Sequence, residues 1–126
     1  MTDSASPIRA LLVEDNDVYR ESLVFLLGRY DDIEVVAAVP DGAAAVRAWR
    51  ELEPDVAVLD FRLPDVDGSQ LCAELRTLSP EASLVFLSAS AGAEEYDAAS
   101  GAHAELVRKD AGIDALVGAM RTAAGR

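Results

Sequence analysis

Apolar residues alternate between two textures along the chain. Short, nearly unbroken apolar runs occupy residues 10–13, 35–39, 56–59 and 84–87, with a weaker one at 106–107. Such runs, rich in valine and leucine and bounded by turn residues, predict strands buried on both faces. Between them the spacing becomes helical. Val18, Phe25 and Leu26 fall on one stripe, and Ala45, Val46, Trp49 and Leu52 on the next. Leu71, Cys72, Leu75 and Leu78 form a third stripe, and Ile113, Leu116, Val117 and Met120 a last one. Residues 91–100 should supply the remaining helix, although their stripe is poor and the helix looks short. Turn signals separate the segments at Pro40-Asp41-Gly42, Glu53-Pro54-Asp55, Ser79-Pro80 and Gly101.

Strand and helix patterns alternating in this way predict an α/β domain, a parallel sheet with helices on both faces. Right-handed crossovers leave few topologies, and strand order 2-1-3-4-5 is the one expected. Ligands in such a doubly wound sheet bind beyond the carboxyl ends of the strands.

Composition adds limits. The 126 residues make about one domain, read as a disordered leader over residues 1–7 and a folded domain over 8–126. No apolar run approaches the length of a bilayer span, and the first seven residues lack a signal-peptide core. The single cysteine, Cys72, rules out an internal disulfide and fits a reducing cytoplasm. A net charge of −12 opposes direct binding of nucleic acid, which needs Lys and Arg against phosphate. A role on DNA would require another domain or partner.

Reactive side chains collect where the strands end. Glu14 and Asp15 follow the first strand, Asp60 closes the third, Ser88 closes the fourth and Lys109 follows the fifth. Taken singly, each is an ordinary solvated loop residue. Four strands delivering them to one sheet edge is not explained by turn preferences. Three carboxylates in one cleft repel one another, and a hard divalent cation relieves that repulsion. Mg²⁺ suits such a site, because it takes one or two carboxylates and binds phosphate oxygens. Lys109 can reach a phosphate as a point charge, and Ser88 can donate one hydrogen bond to it. A carboxylate is itself a nucleophile toward phosphorus, and Asp60 is the central one.

The segments Leu11-Leu12-Val13-Glu14-Asp15-Asn16, Val58-Leu59-Asp60-Phe61-Arg62-Leu63-Pro64-Asp65-Val66-Asp67-Gly68, Phe86-Leu87-Ser88-Ala89 and Val107-Arg108-Lys109 resemble the landmarks of bacterial response-regulator receiver domains. The resemblance covers residues 8–124, nearly the whole chain. It implies a flavodoxin-like (βα)5 domain of two-component signalling in the cytoplasm. It also implies that Asp60 accepts a phosphoryl group from a sensor histidine kinase. Glu14, Asp15 and Asp60, with the backbone carbonyl of Arg62, would hold Mg²⁺. Ser88 and Lys109 would sense the phosphoryl group, and Ala89 would leave the site open. The Lys109-Asp110 step and the Ala-rich ending of residues 120–126 resemble receivers joined to a LuxR-type helix-turn-helix domain, here a C-terminal DNA-binding partner outside this chain. Two departures touch output. Leu106 stands where many receivers carry an aromatic switch, and one extra residue separates Gly101-Ala102 from Lys109. A homodimer, if one forms through the face built by the fourth helix, fifth strand and fifth helix, should therefore respond weakly to phosphorylation.

Other residues are read as structural. His103 has no second histidine to share a zinc site and is taken as a surface or packing residue. Cys72 and Trp49 are taken as core, Glu94 and Glu95 as a solvated helix start, and Gly68 and Pro64 as shapers of the loop after Asp60. Tyr96 is a minor candidate for partner contact. A phosphotransferase or phosphatase with an aspartyl-phosphate intermediate is the competing class, but Arg62 stands where such enzymes place a second acid. A degenerate receiver acting only as a binding module would have lost Asp60 or Lys109, and both are present.

Overall fold

In the computed structural model, which describes residues 6–89 and 92–126 apart from the side chains of residues 93, 94 and 96, strands and helices alternate strictly. They run β1 (Ile8–Val13), α1 (Asp17–Leu27), β2 (Ile33–Val39), α2 (Gly42–Leu52), β3 (Val56–Asp60), α3 (Gly68–Leu78), β4 (Ser83–Ser88), α4 (Ala93–Gly101), β5 (Glu105–Arg108) and α5 (Ile113–Ala123). The five strands pair in parallel and their order is β2-β1-β3-β4-β5, as the alternation predicted.

Each strand delivers side chains to two cores, which explains the continuous apolar runs. On one face Ile8, Ala10, Leu12, Val56, Val58, Val85 and Leu87 pack against Leu23 and Leu27 of α1 and Leu116, Val117 and Met120 of α5. On the other, Leu11, Val13, Ala57, Leu59, Leu84 and Phe86 meet Ala45 and Trp49 of α2 and Leu71, Cys72 and Leu75 of α3. Cys72 and Trp49 are core, as expected, and the Trp49 indole N–H donates to Ser79 Oγ at 2.9 Å.

The stripe expected for α1 is corrected. Val18 and Phe25 are 75% and 70% exposed, while Leu23 and Leu27 are buried. Tyr19, Leu23 and Leu27, four residues apart, form the face that meets the sheet. The α3 stripe also runs out early, since Leu78 is exposed. His103 is an exposed turn residue at φ 53°. The fourth helix is short as expected, with nine residues against eleven in α1, α2, α3 and α5. Of the expected leader, residues 1–5 lie outside the described residues. Ser6 and Pro7 are exposed, and the Ser6 carbonyl accepts from Arg126 Nη1 at 2.6 Å.

Short polar caps start three helices that leave the carboxyl edge of the sheet, Asn16 and Asp41 directly after β1 and β2 and Asp67 at the end of the loop after β3. Asn16, Asp41 and Asp67 each accept a backbone N–H three residues on, from Tyr19, Ala44 and Gln70. These side chains satisfy amides that the first helical turn leaves without partners. The chain can thereby turn sharply at the sheet edge where the acidic residues lie.

Candidate functional site

Glu14 and Asp15 follow the last residue of β1, and Asp60 and Ser88 are the last residues of β3 and β4. Lys109 opens the single 3₁₀ turn after β5. The fold brings them together. Carboxylate oxygens of Glu14, Asp15 and Asp60 lie within 4.8 Å of one another. Lys109 Nζ stands between two of them, 2.7 Å from Glu14 Oε1 and 2.9 Å from Asp60 Oδ2.

Glu14 is the anchor of this cluster. It is 1% exposed, and its Oε2 accepts the Asn16 N–H at 2.9 Å. Its Oε1 meets Lys109 as an ion pair but makes no well-angled hydrogen bond among the described residues. Burial pushes the Glu14 carboxyl above its usual value, and the charge of Asp60 adds to this, while Lys109 and the Asn16 N–H pull it back. For Lys109, burial favours the neutral amine. Its ion pairs with Glu14 and Asp60 outweigh that, so the ammonium is held more firmly than usual. Arg20 Nη1 ties down the Glu14 carbonyl at 2.7 Å. Tyr19 places its ring 4.9 Å from Lys109 Nζ, a cation–π contact. Neither Arg20 nor Tyr19 was singled out in the sequence, although their spacing after Glu14 on α1 is a usable signal.

The loop after Asp60 is held from both ends. The Phe61 N–H continues the ladder to the Leu87 carbonyl at 3.0 Å, and the Gly68 N–H donates to the Phe61 carbonyl at 2.7 Å. A Cβ at Gly68 would lie 2.9 Å from the Asp60 carbonyl oxygen and 2.9 Å from Phe61 Cα, so glycine is needed for backbone approach. Its expected role in shaping the loop thus has a steric basis. Asp65 clamps the loop to α2, accepting from the Gly42 and Ala43 N–H groups at 2.9 and 3.0 Å. Those amides hold its carboxyl below the ordinary range. The Arg62 N–H points at Asp60 Oδ1, 3.2 Å away.

Asp60, Phe61, Arg62, Ser88, Ala89, Glu95 and Lys109 enclose a cleft of about 160 Å³. A larger cavity of about 630 Å³, lined by Trp49, Pro54 and Pro80, opens at the opposite end of the sheet, away from the acidic cluster. The expectation that Glu95 is solvated is corrected. It is 8% exposed and accepts the Gly92 N–H through Oε2 at 3.0 Å. The carboxylate folds back over the start of α4, and the residue also lines the cleft. The side chains of Glu94 and Tyr96 lie outside the described residues. Leu106, expected to be buried, is half-buried beside the core on the α2–α3 face, because β5 is the sheet edge.

The fold and this site define a five-stranded parallel α/β domain with an acidic, lysine-bridged cluster at the carboxyl ends of its strands. The response regulator receiver domain matches residues 10–121, and the chain belongs to that family. It is 40% identical over 74 residues to the DNA-binding transcriptional activator DevR/DosR of Mycobacterium tuberculosis, covering 59% of this chain and 34% of that protein. It is 39% identical over 92 residues to a protein-glutamate methylesterase/protein-glutamine glutaminase of Anaeromyxobacter dehalogenans, covering 72% of this chain and 25% of that one. The chain thus spans about a third or less of these two relatives. A two-component response regulator of the LuxR family from Aurantimonas superposes with a TM-score of 0.88 at 31% identity, covering 96% of this chain and 88% of the other. Phosphoryl acceptance is the general function of the receiver domain. Among the described residues, no helix is long and apolar enough to cross a membrane.

Proposed function

We propose that Asp60 is the phosphoryl acceptor of this chain and that a sensor histidine kinase is its donor. The observation that carries this reading is the shared ammonium of Lys109, 2.9 Å from Asp60 Oδ2 and 2.7 Å from Glu14 Oε1, in a cluster of three carboxylates. An Asp60 carboxylate oxygen forms the new bond to phosphorus. The bond from phosphorus to the donor nitrogen, or to the donor oxygen of acetyl phosphate, breaks, and the electron pair leaves with the donor. Lys109 then turns from a carboxylate oxygen to a phosphoryl oxygen. Ser88, buried beside it in the cleft, offers a hydroxyl for another.

The acidic cluster fits Mg²⁺. Hard oxygen donors converge, and the buried Glu14 oxygen has only an ion pair to satisfy it. Glu14, Asp15, Asp60 and the backbone carbonyl of Arg62 would hold the ion. When bound, Mg²⁺ supplies positive charge against the oxygens of the transferring group. The chain then works as a signalling module that loses its phosphoryl group slowly and does not turn over a substrate. It acts in the cytoplasm, and its output runs through a C-terminal DNA-binding domain of LuxR type or a homodimer. Incubation with Mg²⁺ and acetyl phosphate should add one phosphoryl group by intact mass, and Asp60→Ala should abolish the addition. Labelling that persists in Asp60→Ala refutes the assignment.

A further inference from the structure

The cleft around Asp60 holds an acidic side chain that phosphoryl acceptance leaves unused. Glu95 is more than nine-tenths buried and lines the same space of about 160 Å³ as Asp60, Ser88 and Lys109. Its Oε2 accepts the Gly92 N–H at 3.0 Å, which caps the start of α4. Among the described residues no salt bridge reaches Glu95. A buried carboxylate without an ion pair is costly, and this residue lines the space beside Asp60 that a transferred group would enter. The other charges facing the cleft are Asp60, Lys109 and Arg62.

A phosphoryl group brings roughly −1.5 to −2 charge at neutral pH. Repulsion between two anions in so small a volume is strong, because little water screens it. A ligand shifts a conformational equilibrium only through a difference in interaction with the two states. Glu95 supplies that difference. With Glu95 turned inward the phosphoryl group is repelled, and with Glu95 turned outward it is not. Turning outward breaks the bond to Gly92 and releases the first turn of α4.

We propose that Glu95 is an anionic positioning residue of the phosphoryl cleft, which weakens retention of the phosphoryl group and couples its arrival to release of the start of α4. This rests on Asp60 being the acceptor. It gives the chain a switch driven by charge, in a protein whose residue 106 has no ring to move.

Glu95→Gln tests it, because glutamine keeps the length and an oxygen for the Gly92 N–H but removes the charge. The whole chain is titrated with beryllofluoride and Mg²⁺ while the backbone amides of Gly92 and Asp60 are followed by NMR. In the unmodified protein the Gly92 resonance should move on saturation as its hydrogen bond is lost. In Glu95→Gln it should stay, and beryllofluoride should bind on the order of tenfold more tightly, within the usual range of coupling between sites. The lifetime of the phosphorylated form should lengthen in parallel. Glu95→Ala, which lacks the acceptor oxygen, should show a displaced Gly92 resonance already in the free protein together with the tighter binding. A purely structural Glu95 leaves affinity and lifetime unchanged in Glu95→Gln, and that result overturns the proposal. So does a Gly92 resonance that does not move in the unmodified protein. Absence of any response at Asp60 in the unmodified protein removes the acceptor reading itself, and this inference with it.

Discussion

Replacing Lys109 with methionine isolates what the shared ammonium does for the fold. The side chain keeps an unbranched apolar stem, one atom shorter, but no longer faces Glu14 and Asp60 with a charge. Glu14, at 1% exposure, is then left as a buried carboxylate beside a second acid. Its escape is to take up a proton in the folded state. Once it does so, each pH unit above its ordinary value of 4.5 costs about 1.4 kcal/mol relative to the unfolded chain. At pH 7 the ceiling is therefore roughly 3.4 kcal/mol, and at pH 5 about 0.7. The unmodified protein already bears part of this, because burial has raised Glu14 even with Lys109 present. The Lys109–Asp60 contact, partly open to solvent, adds less than about 1 kcal/mol. In metal-free buffer Lys109→Met should thus be destabilised by about 2 kcal/mol at pH 7, and by under about 1 kcal/mol at pH 5. The sign follows from a carboxyl raised in the folded state, whose contribution to stability is full at low pH and lost as pH rises through the raised value. Urea unfolding of both proteins at the two pH values measures the difference. Equal midpoints at pH 7, or a gap of the same size at pH 5, would falsify the role assigned to Lys109.

Further outcomes follow from the same geometry. Without metal, Asp15→Asn should raise the melting temperature by a few degrees, because it removes one of three crowded charges at an exposed position, and thermal scans with and without Mg²⁺ should show the Mg²⁺ stabilisation of the unmodified protein largely gone in the variant. Gly68→Ala should cost about 1–3 kcal/mol in urea unfolding, since its Cβ meets backbone rather than a movable side chain, and should also slow phosphorylation by acetyl phosphate. Sedimentation with and without beryllofluoride and Mg²⁺ should show at most a modest shift in self-association, because Leu106 offers no ring to swing; a clean change from monomer to dimer would contradict this.

The alternation of apolar runs and helical stripes was enough to predict the architecture. Period and run length report element type directly, and right-handed parallel βα units leave few strand orders. The placement of Glu14, Asp15, Asp60, Ser88 and Lys109 at one sheet edge was equally legible, because the end of an apolar run marks the edge of a parallel sheet. Other features were not legible, for identifiable reasons. On α1 the spacing of Val18 and Phe25 satisfies a helical stripe as well as Tyr19, Leu23 and Leu27 does, and only contact with β2 and α5 shows which stripe is buried. Glu95 reads as a solvated residue of a helix start, yet it is buried and its carboxylate turns back to accept the Gly92 N–H. The sharing of Lys109 between Glu14 and Asp60, the ring of Tyr19 beside it and the clamp of Asp65 on α2 join residues 22 to 95 positions apart, or set a local neighbour by rotation of its helix. Periodicity states which residues are able to share a face. Which way that face turns, and which charges it meets, is settled by packing between elements distant in sequence, and those contacts carry no local signature.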